Sequence, residues 1–155
     1  QNALFLVDQL VEVAARALSP GVNDPMTAFT CMDWLQSALI KLTQRGDPER
    51  YRFDANQNLR LIAKAAAFRD FCSSIFDQLE QYVAADQNAA IHMMKMLANV
   101  AVFTQDGPRR ETLIQHADRL LAAAKAVNMS PTVLDKMQEL HHTCGSCRRQ
   151  NGAIL

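Results

Sequence analysis

The chain has 155 residues, of which 49% are hydrophobic and 21% are charged, with 16 Lys and Arg residues against 16 Asp and Glu residues. This size fits a single domain, and the hydrophobic content excludes a disordered tail. The formal net charge of zero excludes the broad basic surface that binds nucleic acid, and the five glycines and five prolines are too few for a sandwich or barrel of short strands.

The first predicted element is a helix from Ala3 to Leu18, where apolar residues recur with helical spacing. Only a narrow polar line interrupts them: Asp8, Glu12 and Arg16, each four residues from the next. A helix with so little polar surface is typically surrounded by protein. We therefore expect this helix to be the central one of the domain.

A turn follows at residues 19–24. Pro20 disfavours helical dihedral angles at Ser19, and Gly21 can take the positive φ that a sharp turn needs. Asp24 is then placed as the N-cap of a second helix, with Pro25 as its first residue.

The second helix runs from about Pro25 to Arg45, because apolar residues there step by three and four. Beyond it, apolar residues alternate with arginine on both sides of a polar segment, which predicts a β-hairpin over residues 51–62. Two strands alone are marginally stable in water, so we expect this hairpin to lie against the helices. The alternative is that residues 59–67 begin a helix.

Four further helical patterns occupy the rest of the chain, over residues 68–83, 91–102, 113–127 and 133–140. Breaks that contain Gly or Pro separate the later ones. The sequence therefore predicts a mainly α fold: an antiparallel bundle of about six helices with one short hairpin. We expect a single domain over residues 1–143 and a C-terminal tail over residues 144–155.

The segment Ala17–Pro25, with Thr27 and Ala28 after it, resembles the signature of a bacterial family of predicted multi-spanning membrane proteins classed as a domain of unknown function. An apolar helix like Gln9–Ala14 precedes that signature and one like Cys31–Leu35 follows it. The resemblance implies that this chain is the soluble C-terminal portion of a membrane protein whose spanning helices lie upstream. We expect that portion on the cytoplasmic side; the resemblance implies no activity, substrate or catalytic residue.

The turn is the first candidate site. Its candidate residues are Ser19, Pro20, Gly21, Asn23, Asp24 and Pro25. Turn and capping chemistry accounts for most of them, so we expect a structural role. In the alternative interpretation, Asn23 and Asp24 hold a cation, a hydroxyl or an amide.

The polar line is the second candidate, with Asp33 contributed by the second helix. We expect a solvated stripe with one ion pair between Glu12 and Arg16, four residues apart. If the carboxylates of Asp8, Glu12 and Asp33 faced an apolar cleft, they could instead shuttle protons.

The third candidate lies near the C-terminus, where Cys144 and Cys147 are spaced as Cys-x-x-Cys and His141 precedes them by one helical turn. Two thiolates and an imidazole are zinc ligands, but a structural zinc site needs four. A redox pair beside Arg148 and Arg149 is a second possibility. We expect inert thiols and no bound metal.

No sequence motif indicates catalysis or a cofactor. We therefore favour a non-catalytic interaction or oligomerisation module of a membrane protein. Four consecutive apolar residues, Leu4–Val7, lie at the start of a chain that lacks an initiating Met, which fits a fragment whose upstream part would cover them. We expect the chain to self-associate there through a two-fold contact, with upstream spanning segments as a further partner and no nucleic acid.

Overall fold

The computed structural model describes residues 3–63 and 65–146 of the chain. The helices are Ala3–Leu18 (α1), Pro25–Thr43 (α2), Phe68–Cys72 (α3), Gln78–Val83 (α4), Gln87–Phe103 (α5), Gly107–Ala126 (α6) and Pro131–Ser146 (α7). A π-helical segment, Ser73–Asp77, joins α3 to α4 without a break. Two antiparallel strands, Tyr51–Phe53 (β1) and Leu59–Ile62 (β2), form a hairpin. The prediction of a mainly helical fold with one short hairpin is confirmed.

The centre of the fold is α5, which packs against α2, α6 and α7. Its buried side chains occupy almost every turn: Ala89, Ala90, Met93, Met94, Met96, Leu97, Ala98, Val100 and Ala101. Small alanines let neighbouring helices approach, and the unbranched methionines fill the irregular gaps that remain. The prediction that the first helix is central was wrong, because α1 packs only on α2, α4 and the π segment among the described elements with substantial contact.

The α3–π–α4 stretch supplies the aromatic part of the core. Phe68, Phe71 and Phe76 are all buried there, together with Ile75 and Leu79. A π segment shifts the register of the side chains that follow it, and such segments recur at functional sites. Here it sets Ser74 against α1 and Asp77 against α6.

The hairpin does not lie against the helices, and that expectation was wrong. Every residue of β1 and β2 is exposed. The turn holds its own shape instead, because the carboxylate of Asp54 accepts the backbone N–H groups of Asn56 and Asn58, each at 2.9 Å. Local hydrogen bonds thus replace the packing that we expected.

Helix α7 continues past the predicted boundary at residue 143 and buries Cys144. Cys147 and the remainder of the expected tail lie outside the described residues. Among those described, no helix combines the length and the hydropathy that crossing a bilayer requires.

Candidate functional site

The turn between α1 and α2 is built from its own hydrogen bonds. Asp24 donates its N–H to the Ala17 carbonyl at 2.8 Å, and Asn23 donates to the Ser19 carbonyl at 2.9 Å. The Asp24 carboxylate then caps α2, accepting the Thr27 N–H at 3.1 Å and the Thr27 hydroxyl at 2.6 Å. The bond from the Thr27 hydroxyl has the largest effect in lowering the pKa of Asp24, and the bond from the Thr27 N–H has the next largest.

Positive φ falls at Asn23, at 49°, rather than at Gly21 as the sequence predicted. Asparagine tolerates this conformation better than most residues because its short polar side chain can bond locally. Pro20, Gly21, Asn23 and Asp24 are all exposed, and Pro25 opens α2. The geometry of this segment is that of a capped helix turn.

The residues of the polar line do not meet in one site. The Asp8 carboxylate accepts the Ser74 hydroxyl of the π segment. Glu12 and Arg16 pair at 2.9 Å in solvent, with their side chains 61% and 72% exposed. Asp33 contacts His92 of α5 at 2.9 Å, on another side of the fold.

The C-terminal candidates also diverge. Cys144 is fully buried, and burial raises the pKa of its thiol to about 11. His141 instead contacts Asp118 of α6, with 2.6 Å between Nε2 and Oδ1. Among residues 3–63 and 65–146, no three His, Cys, Asp or Glu side chains converge in a way that could hold a metal ion.

A buried arginine that the sequence analysis missed joins α6 to the end of α2. Arg109 Nη1 donates to the carbonyls of Leu42 at 3.1 Å and Arg45 at 2.8 Å, and its Nη2 donates to Asp47 Oδ1 at 2.8 Å. Its guanidinium carbon lies 5.4 Å from the centroid of the Phe68 ring. The arginine therefore adds hydrogen bonds to two carbonyls at the end of α2, of which that of Leu42 also accepts the Arg45 N–H at 3.2 Å.

A second missed cluster lies where α6 faces the π segment. His116 is buried, and its Nδ1 lies 2.7 Å from Arg119 Nη2 and 3.6 Å from Asp77 Oδ1. Burial, and then the positive charge of Arg119, lower the pKa of His116 to about 4. The ring is therefore neutral at physiological pH and can accept a hydrogen bond from Arg119.

A pocket of about 500 Å³ opens beside this histidine. Its lining is polar: Arg69, Ser73, Asp77, Thr112, Gln115, His116, Asp118 and Arg119. Arg119 also contacts Asp77 and, at 3.6 Å, Glu80. Arg119, Asp77 and Glu80 thus form one group of charges, which fits a stabilising contact between α6 and the stretch from the π segment to α4.

Helices α1 and α2 also carry apolar side chains that the described fold leaves uncovered. Phe5, Leu6 and Val13 of α1 and Trp34 of α2 are 47% to 67% exposed. We call these four residues the α1–α2 face. Of the four residues expected to drive self-association, Val7 is buried and Leu4 is half-buried, so Phe5 and Leu6 are the exposed ones.

Comparisons with known proteins give the family. A family model described as a predicted membrane protein (DUF2254) matches residues 1–99, from α1 into α5. Uncharacterized proteins of Mycobacterium bovis and Mycobacterium tuberculosis are 28% identical over 110 residues, which cover 71% of this chain and 21% of each relative. The match thus spans about a fifth of the length of these relatives. No solved structure matches the chain at a significant level. The chain belongs to the DUF2254 family of predicted membrane proteins.

Proposed function

We propose that this part of the protein is a non-catalytic interaction module that self-associates through the α1–α2 face. The observation that carries the proposal is the excess of apolar surface on α1. This helix has apolar side chains around most of its circumference, yet the described fold covers only the side that holds Val7, Val11, Ala14 and Ala17.

The positions of the exposed residues favour one continuous surface. Leu6 and Val13 lie seven residues apart, which is two helical turns and hence one line along α1. Asp8, two residues from Leu6, contacts the π segment, so Leu6 lies on the opposite side of α1. Helix α2 returns antiparallel from a short turn, which brings Trp34 level with the stretch between Leu6 and Val13.

A second copy of the chain is the occupant that fits this surface best. The most common association of identical chains is a two-fold contact, in which one patch meets itself. Glu12 and Arg16 border the face on α1. When the two-fold axis passes between Glu12 and Arg16, each Glu12 faces Arg16 of the second copy. The opposite charges at the border of the face then attract each other.

Sedimentation velocity across a wide range of concentrations tests this proposal. The unmodified chain is expected to form a dimer, and Trp34→Ser is expected to weaken it by at least about tenfold in dissociation constant, because truncating a central aromatic side chain commonly costs an interface that much. Leu6→Ser should act in the same direction.

Val127→Ser is the matched control, since Val127 is 53% exposed at the end of α6, far along the chain from the face. It should leave the dimer unchanged. Two results would overturn the proposal: a monomer at every concentration, or a dimer that Trp34→Ser and Leu6→Ser leave intact.

We also propose that this module is the soluble C-terminal portion of the membrane protein and that it faces the cytoplasm. The resemblance of the segment Ala17–Pro25 to the family signature supports the C-terminal position. Cys31, Cys72 and Cys144 are free thiols, as is usual in a reducing compartment, which supports the cytoplasmic side. Reporter enzymes fused to the module in its membrane-inserted parent protein test the side. Activity of a periplasmic reporter there would contradict the assignment.

A further inference from the structure

The hairpin carries an apolar face that nothing in the described fold covers. Residues paired directly across two strands point to the same side. Tyr51 pairs with Ile62 and Phe53 pairs with Leu59, so these four apolar side chains share one face. On β2, a bulge lies between Leu61, which pairs with Arg52, and Leu59, which pairs with Phe53. The bulge places Leu59 on the same face as Ile62. We call these four residues the hairpin face.

The hairpin is built to present that face without support from the helices. Asp54 Oδ2 accepts the Nε–H of Arg60 at 2.8 Å, while its other oxygen accepts two backbone N–H groups of the turn. These bonds lower the pKa of Asp54, and the bond from the backbone N–H of Asn58 has the largest effect. Gln57 adopts the left-handed conformation, with φ at 62°, which closes the turn.

We propose that the hairpin face inserts into the lipid–water interface of an anionic bilayer. The four side chains, each 47% to 60% exposed, present on the order of 400 Å². A face of this size suits weak, reversible insertion, which is sufficient for a domain whose parent protein belongs to a family of predicted membrane proteins and holds it near a bilayer.

The composition of the hairpin suits the interface rather than the hydrocarbon core. Tyrosine and phenylalanine place aromatic rings at the level of the headgroups, where tyrosine keeps its hydroxyl hydrated. The two outer strand edges leave backbone groups unpaired, which the hydrocarbon core would not tolerate. Arg60 is paired with Asp54, which leaves the exposed Arg50 and Arg52 against Glu49 in the hairpin region. The local charge is therefore positive, and the stems of Arg50 and Arg52 can reach lipid phosphates.

Co-sedimentation of the chain with vesicles tests this proposal, which is independent of self-association through the α1–α2 face. The vesicles are made of phosphatidylcholine alone or of phosphatidylcholine mixed with phosphatidylglycerol. The chain should partition more strongly onto the mixed vesicles, and the double variant Phe53→Ser, Ile62→Ser should lower that partition by at least about tenfold. Both positions are exposed, so the double variant should keep the melting temperature of the unmodified chain. That result would show that the variant is folded.

Phe103→Ser is the matched control, since Phe103 is 52% exposed at the end of α5 and Phe53 is 56% exposed. It should bind vesicles as the unmodified chain does. The proposal fails if the unmodified chain binds neither kind of vesicle, or if the double variant binds as well as its parent. It also fails if the double variant changes the sedimentation coefficient while vesicle binding stays the same, since the hairpin face would then contact a second copy.

Discussion

Arg109 donates to Asp47 at 2.8 Å, and the two residues are 62 positions apart in the chain. Asp47 Oδ1 also accepts the N–H of Phe68 at 3.1 Å. One carboxylate thus joins the connection after α2, the start of α3 and the first turn of α6. Asp47 precedes the hairpin and Phe68 follows it, so the junction brings together the two ends of the segment that carries the hairpin.

Arg109→Ala should lower the free energy of unfolding by about 2–4 kcal/mol, because it removes a buried side chain together with its hydrogen bonds to the Leu42 and Arg45 carbonyls and to the Asp47 carboxylate. Urea unfolding measures the loss. Arg16→Ala, which breaks an ion pair in solvent, should stay within about 0.5 kcal/mol. If the two variants were equally stable, the junction would not have the structural role assigned to it.

Asp24→Ala should lower the melting temperature by about 2–6 °C through loss of the α2 cap. Gly21→Ala should change it by less than about 1 °C, because Gly21 has no positive φ and an added Cβ meets nothing within 4 Å. Thermal melts of both variants check the difference. A larger shift for Gly21→Ala than for Asp24→Ala would contradict the structure of this turn.

Local signals in the sequence were sufficient to predict the helices and the hairpin. Asp24 with Pro25, and Ser130 with Pro131, mark helix starts through chemistry that acts within one turn. The apolar spacing of α1 was equally clear, but it reports only that apolar surface exists. Which protein or lipid covers that surface depends on packing between distant elements, so the position of α1 in the fold was predicted incorrectly.

The two polar clusters depend on contacts over long separations, which no spacing rule describes. A weaker signal was present for each. Arg109 and Arg110 lie in the first turn of α6, where the helix dipole disfavours cations, so a tertiary partner was to be expected. His116 lies between Leu113 and Leu120 on the apolar side of α6, which indicates burial.

Stability should fall between pH 6.5 and pH 4 in a way that depends on His116. Folding lowers the pKa of this ring from 6.5 to about 4, so the unfolded chain binds the proton more tightly in that window. The contribution is complete above pH 6.5 and is lost as the pH falls towards 4. Between pH 7.5 and pH 4.5, the free energy of unfolding should therefore fall less in His116→Gln than in the unmodified chain. The difference between the two decreases should be on the order of 2 kcal/mol. Identical pH profiles in urea unfolding would contradict the buried, neutral histidine.

The thiol of Cys144 should react slowly with iodoacetamide at pH 8 in the folded chain and rapidly in urea. Burial raises its pKa to about 11, so little thiolate forms, and the side chain is covered by the core. The same geometry predicts no stoichiometric zinc and an unchanged melting temperature after chelation, since His141 is bonded to Asp118. One equivalent of zinc, lost together with the fold, would contradict this.

The emission spectrum of Trp34 tests self-association through the α1–α2 face most directly. Trp34 is the one tryptophan in the chain and is 67% exposed, so its emission reports on the face without interference. As the protein concentration rises through the range in which sedimentation shows a dimer, we expect the emission maximum to shift to shorter wavelength and acrylamide quenching to decrease. In Leu6→Ser the shift should require a higher concentration. A dimer that forms while the emission and quenching of Trp34 stay those of an exposed indole would show that the chain associates through another surface.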